Sequence, residues 1–152
     1  MKRLASSVLV LGFGIATASQ SVELVLGHRL PRDAKLVAGT MLLTSPGQVR
    51  DVYAVQRDGV DFLVCPDSSR RITHIRTTDP AFRTPEGVHV GSSLKEIRAV
   101  SPVGEAYLPG WAYIVHLRSG WSAAFLAEDS VTEIAPWEDS IADFIFKGTP
   151  GG

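Results

Sequence analysis

Between residues 36 and 77 the apolar positions come in short bursts, at 36–44, 49–56, 60–65 and 72–77, with turn-forming residues between them. Short apolar runs bounded by such residues predict antiparallel strands. Asp58-Gly59 falls between two bursts, and because both residues tolerate positive φ the pair predicts a tight hairpin. Ser45-Pro46-Gly47-Gln48 and Pro66-Asp67-Ser68-Ser69 supply further turns. One meander from Leu36 to Thr77 follows, and residues 22–26 read as another strand ahead of it.

The period changes after residue 92. Ser93-Leu94-Lys95-Glu96 has the form of a capping box, in which a serine hydroxyl and a glutamate carboxylate satisfy exposed backbone donors. Leu94, Ile97 and Val100 share one helical face, and Pro102 stops the run, which predicts a short helix at about 93–101. Two turns of helix hold only if that face lies on a sheet. Further on, Trp111, Tyr113, Val115 and Leu117 alternate with Ala112, Ile114, His116 and Arg118, and the first set is expected to face the core. Ser119-Gly120 is a turn, with 121–126 as the returning strand. Residues 127–138 are acidic and expected to be loop with a little helix. Residues 140–147 read as a last strand, with a short amphipathic helix as the alternative. The fold class is therefore α+β: a mostly antiparallel sheet with one short helix packed on it.

The N-terminus reads differently. Lys2 and Arg3 precede the apolar run from Leu4 to Ala16, and Ala16-Thr17-Ala18 is the small-x-small pattern cut by a signal peptidase. The run is shorter than the roughly 20 residues a membrane span takes, so residues 1–18 are expected to be a removed export signal and no transmembrane anchor is expected. That leaves a single α+β domain over 19–147 and a flexible tail over 148–152, in a periplasmic or secreted protein. Of the 15 basic and 16 acidic residues, two basic ones fall in the signal, which leaves a net −3. Nucleic-acid surfaces carry a basic excess, so nucleic acid is not an expected partner. The single cysteine, Cys65, cannot form an internal disulfide, and its place at the end of an apolar run predicts a buried, inert thiol.

Asp79-Pro80, Thr84, Gly87-Val88, Val90-Gly91 and the helix after them resemble a pattern found in a family of uncharacterised enterobacterial envelope lipoproteins: a strand, Asp-Pro, Thr-x-x-Gly-Val-x-Val-Gly, then Ser and a short helix. The helix is also similar to those of small envelope binding modules such as β-lactamase-inhibitor-like domains. The resemblance covers about a quarter of the mature chain and implies an α+β envelope protein without catalysis. The lipidation cysteine of that family is absent here, and residues up to Arg71 carry no match. Read from the residues alone, Val88 and Val90 form a short strand pointing inward with His89 outward, between glycines that permit tight turns.

Several patterns invite chemistry. Ser92-Ser93-Leu94-Lys95 fits Ser-x-x-Lys, but the Ser-Asp-Asn and Lys-Thr-Gly companions of penicillin-recognising enzymes are missing. Gly120-Trp121-Ser122-Ala123-Ala124 is a degenerate nucleophile elbow, and its setting here is a hairpin rather than a parallel α/β sheet. His28, His74, His89 and His116 lack metal-ligand spacing, so neither a metal nor a cofactor is expected. Glu128, Asp129, Glu133, Glu138, Asp139 and Asp143 crowd the last third, in keeping with an acidic face for a basic partner. Tyr107, Leu108, Trp111, Trp121 and Trp137 are the candidate binding residues, since aromatic side chains near loops anchor interfaces.

The expected function is an exported, non-enzymatic envelope protein that binds a protein or another envelope component. The alternatives are a small periplasmic serine hydrolase using Ser122 or Ser92, and a purely structural envelope protein. Nothing in the pattern fixes an oligomeric state.

Overall fold

Asp58 and Gly59 adopt φ of 50° and 78°, the left-handed pair that a two-residue hairpin demands. They join the second and third of eight strands in a computed structural model that describes residues 23–126 and 135–148. The first half contributes β1 (Lys35–Ser45), β2 (Gln48–Arg57), β3 (Val60–Pro66) and β4 (Ile72–Thr77). After the helix α1 (Leu94–Ala99) come β5 (Gly104–Leu108), β6 (Ala112–His116), β7 (Ser122–Phe125) and β8 (Phe144–Gly148). All eight form one sheet in the order β1-β2-β3-β4-β8-β7-β6-β5, and every neighbouring pair is antiparallel. Two four-strand meanders thus meet along the β4–β8 seam.

The sheet has two faces, and the chain covers them unequally. On the front face α1 inserts Leu94 and Ile97 among Tyr113, Val115, Ala123, Phe125 and Ile145. Beside them Leu30, Phe62, Val64, Ile72 and Ile75 form a second cluster, closed over by Leu24, Leu26 and Ala34 of the segment that precedes β1. Phe82 and Trp121 touch both clusters and stand 4.7 Å apart between ring centres. That segment, residues 23–34, is held by hydrogen bonds such as Ile72 N to His28 O and Leu30 N to Arg70 O, both 2.8 Å.

The capping box is present. Glu96 N donates to Ser93 Oγ, and Ser93 N donates to Glu96 Oε2 at 2.8 Å. Leu94 N and Lys95 N donate to Ser140 O and Glu138 O, so the helix start is held by residues just before β8. Ser93→Ala should lower the unfolding free energy by about 1 kcal/mol, measured by urea denaturation, because one cap acceptor is lost while the Leu94 and Ile97 contacts survive.

The sheet, the four strands of the first half, the α1 position and the β6–β7 hairpin match the sequence reading. Four details differ. Residues 23–26 are not a strand; Leu24 and Leu26 reach the front core from an irregular segment. Residues 88–90 are likewise irregular, although Val88 is buried and Gly87 and Gly91 hold φ of 84° and 94°. Gly104–Leu108 pairs with β6 as a strand that its few apolar residues do not announce. Finally, the last strand, read over 140–147, is β8 at Phe144–Gly148, so residues 140–143 lie outside it and Gly148, assigned to the tail, completes it opposite His74. The expected signal at 1–18, most of the acidic loop and the tail from 149 lie outside the described residues.

Candidate functional site

Strand parity decides which side chains share the back face. Cross-strand partners point the same way, so the pairs Arg76↔Phe146, Ser122↔Phe146 and His116↔Ser122 form one lateral row across β4, β8, β7 and β6. Phe144, Ala124 and Ile114 form the next row. With Ala112, Phe146 and the adjoining Leu108 and Trp111, these residues make an apolar patch centred on aromatic rings. The Trp111 ring lies 5.1 Å from that of Phe146, and Phe144 lies 5.8 Å from Phe146.

The β1–β2 hairpin reaches over this face. β3 pairs with β2 from Tyr53 to Arg57 and goes no further, whereas residues 48–52 continue as a hairpin with β1 alone. At about 3.3 Å per residue, those residues and the turn beyond them reach about 20 Å, the width of roughly four strands. The arm begins where the β1–β2 register breaks, between Leu36 and Met41. Gly39 sits in that break at φ 72°, a backbone conformation that resists any side chain. Val52, at the arm's base, is fully buried.

The arm encloses a cavity of about 600 Å³ against the sheet. Thr44, Ser45, Pro46 and Arg50 form its roof, and Leu108, Trp111, Ile114 and Phe146 its apolar floor. His74, His116 and Ser122 supply polar groups to the same space. This size lies within the range of about 300–1,000 Å³ typical of small-molecule sites, and a mostly apolar lining with few polar groups is their usual character.

Electrostatics in and beside the cavity depart from ordinary values. His74 is 3 % exposed and stacks on Phe146, and its Nε2 has no hydrogen-bond partner. Burial, helped by the nearby Arg76 charge, pushes its pKa down to about 4, so the ring is neutral at pH 7. Arg76 lies with its guanidinium 3.6 Å above the centre of the Phe144 ring, and its Nε is also without a partner. Burial lowers the Arg76 pKa from its usual value, while the Asp143 charge opposes that shift. Cys65, opposite His74 across β3 and β4, is fully buried with its thiol pushed up to about 11 by desolvation. A thiol so placed stays protonated and unreactive, as the sequence reading expected.

The remaining candidate chemistry takes structural roles or stops short. His116 Nδ1 lies 2.9 Å from Ser122 Oγ, but among the described residues no carboxylate hydrogen-bonds the imidazole. Ser122 lies in a regular antiparallel strand rather than on a strand-to-helix elbow. Ser92 is buried, and its Oγ accepts from His89 N at 3.1 Å. Among the described residues no group of three His, Cys, Asp or Glu side chains converges as metal ligands. Glu138 pairs with Arg98, which also makes two 2.8 Å bonds to Glu105; Asp143 accepts from Leu126 N at 2.7 Å. Arg98 in turn holds the Glu105 carboxyl below its usual pKa.

The five aromatic and aliphatic candidates do not form one surface. Leu108 and Trp111 meet on the back face inside the cavity. Trp111 was expected to share the core side of Tyr113; it precedes the first residue of β6 and follows Gly110 at φ 74°, so strand parity does not govern it. Tyr107 packs on the opposite, helix-bearing side, and so does Trp121, between Phe82 and Lys147. Trp137, 84 % exposed, stands apart near the start of α1.

Sequence reasoning passed over Arg50 and Phe146, weighed His74 only as a metal ligand and placed Ile114 on the face away from the core. A signal was present in the unbroken apolar runs at 112–115 and 144–146. Continuous rather than alternating burial means that both faces of those strands are covered. Comparison with known proteins gives no match to a family model, to a curated protein or to a solved structure.

Proposed function

We propose that the chain is an exported, non-catalytic binding domain of the bacterial cell envelope, with its ligand held between the arm and the back face. The observation that carries this reading is the 600 Å³ cavity, which places Leu108 and Trp111 beside buried polar groups. The export-signal pattern and the resemblance at residues 79–100 support the location. Binding is favoured over catalysis because, among the described residues, no carboxylate hydrogen-bonds His116 to complete a triad with Ser122. Much of the front face is filled by α1 and the segment before β1, whereas the arm leaves a concavity over the apolar back face.

The test is capture of an envelope component on immobilised protein, compared with Trp111→Ala and Trp137→Ala. Capture should fall at least tenfold for Trp111→Ala and stay unchanged for Trp137→Ala. Equal capture by the wild type and Trp111→Ala would refute the reading. For the location, mass spectrometry of the periplasmic fraction should find a chain beginning at Ser19.

A second reading rests on the 2.9 Å approach of His116 Nδ1 to Ser122 Oγ. Were the pair a nucleophile and its base, a fluorophosphonate probe would label the folded wild type and spare Ser122→Ala. Absence of labelling at Ser122 removes the hydrolase.

A further inference from the structure

We infer that the arm cavity takes a small amphipathic anion, an acyl-chain or aromatic carboxylate, with its apolar body on Trp111, Leu108, Ile114 and Phe146 and its charge beside Arg50. The inference deepens the proposed function and rests on it. Its ground is the sign of the lining. Three other concave sites on the described surface each carry acids: Asp51 and Asp67 in one, which Arg50 also borders, Asp33 and Asp61 in another, Glu23 and Asp58 in the third. The arm cavity carries Arg50 and two histidines and no Asp or Glu. That departure occurs in a chain whose acids outnumber its bases, 16 to 15.

The cationic side is also unspent. Arg50 makes no ion pair among the described residues, although it is partly buried. A half-buried guanidinium without a carboxylate is ready to take one from a ligand, in the two-pronged geometry that suits Arg. His74 adds a second unsatisfied polar side chain against the same space, 3 % exposed and with Nε2 unpartnered. A cationic ligand would meet no compensating charge here, and a wholly apolar one would strand Arg50 out of water.

The experiment is isothermal titration of the full chain with octanoate, octanol and octylamine, repeated with Arg50→Gln and Trp111→Ala. Octanoate should bind about tenfold more tightly than octanol, and octylamine should not bind. Arg50→Gln should remove that tenfold preference, because a hydrogen bond to a charged group is lost, and leave the melting temperature unchanged. Trp111→Ala should weaken octanoate and octanol alike. Octanol or octylamine matching octanoate, or an octanoate affinity indifferent to Arg50→Gln, overturns the inference. If no C8 compound binds while envelope capture still depends on Trp111, the inference falls and the binding reading stands. If that capture is also absent, both fall.

Discussion

Phe144→Ala should lower the unfolding free energy by about 4 kcal/mol, the largest loss expected from any single truncation in this chain. Phe144 is fully buried on the back face of β8. Its ring touches Phe146 and Trp111 and carries the Arg76 guanidinium on one side. Truncation leaves a void beneath two aromatic rings and takes the π surface from a half-buried cation with no other partner for its Nε. The neighbours Ala112 and Ala124 are too small to close the gap. Guanidinium denaturation monitored by circular dichroism measures the loss. A change under 1.5 kcal/mol would mean that the back face is much looser than described.

Acidification should destabilise the fold in a window set by His74. Its folded pKa, near 4, lies below the ordinary 6.5, so the unfolded chain takes up a proton that the folded chain refuses. Above pH 6.5 both states are neutral and the residue gives no pH dependence. As the pH falls from 6.5 to 4 stability drops, by about 2 kcal/mol at pH 5 and about 3 kcal/mol at pH 4, where the loss levels off. Glu96, held low by the Ser93 hydrogen bonds, and Glu105, held low by Arg98, lose their contributions further down, below the ordinary 4.5. The upper part of the slope therefore belongs to His74. Unfolding free energies at pH 7, 6 and 5 should show it, and His74→Gln should flatten it. A slope unchanged by His74→Gln would place the titrating group elsewhere.

Much of the fold could be read from the residues because its cues are local. Asp58-Gly59, the Ser93–Glu96 box and the bursts of β2 to β4 each act within a few positions. β5 was harder: Gly104-Glu105-Ala106 has little β propensity, and the strand exists because β6 offers an edge to pair with. The candidate site was legible only in part. Leu108 and Trp111 were named for the right chemistry, aromatic or aliphatic character next to a turn. Their separation from Tyr107 and Trp121 follows from which side of the sheet each side chain takes, and that depends on where strands begin. The arm roof could not be foreseen, since the overhang of residues 48–52 arises from β3 ending early relative to β2. Pattern reveals strands, but differences in their lengths emerge only when they are laid side by side.

The mirrored strand order has a consequence for how the protein is assembled. β8, last in chain order, sits between β4 and β7 in the middle of the sheet. Until it arrives, each meander carries a raw flank of unsatisfied amide and carbonyl groups, the feature that invites strands of other molecules. Residues 77 and 145 must come together across nearly half the sequence, a long and therefore slow loop closure. During biogenesis the two halves thus wait, open-sided, for a five-residue keystone.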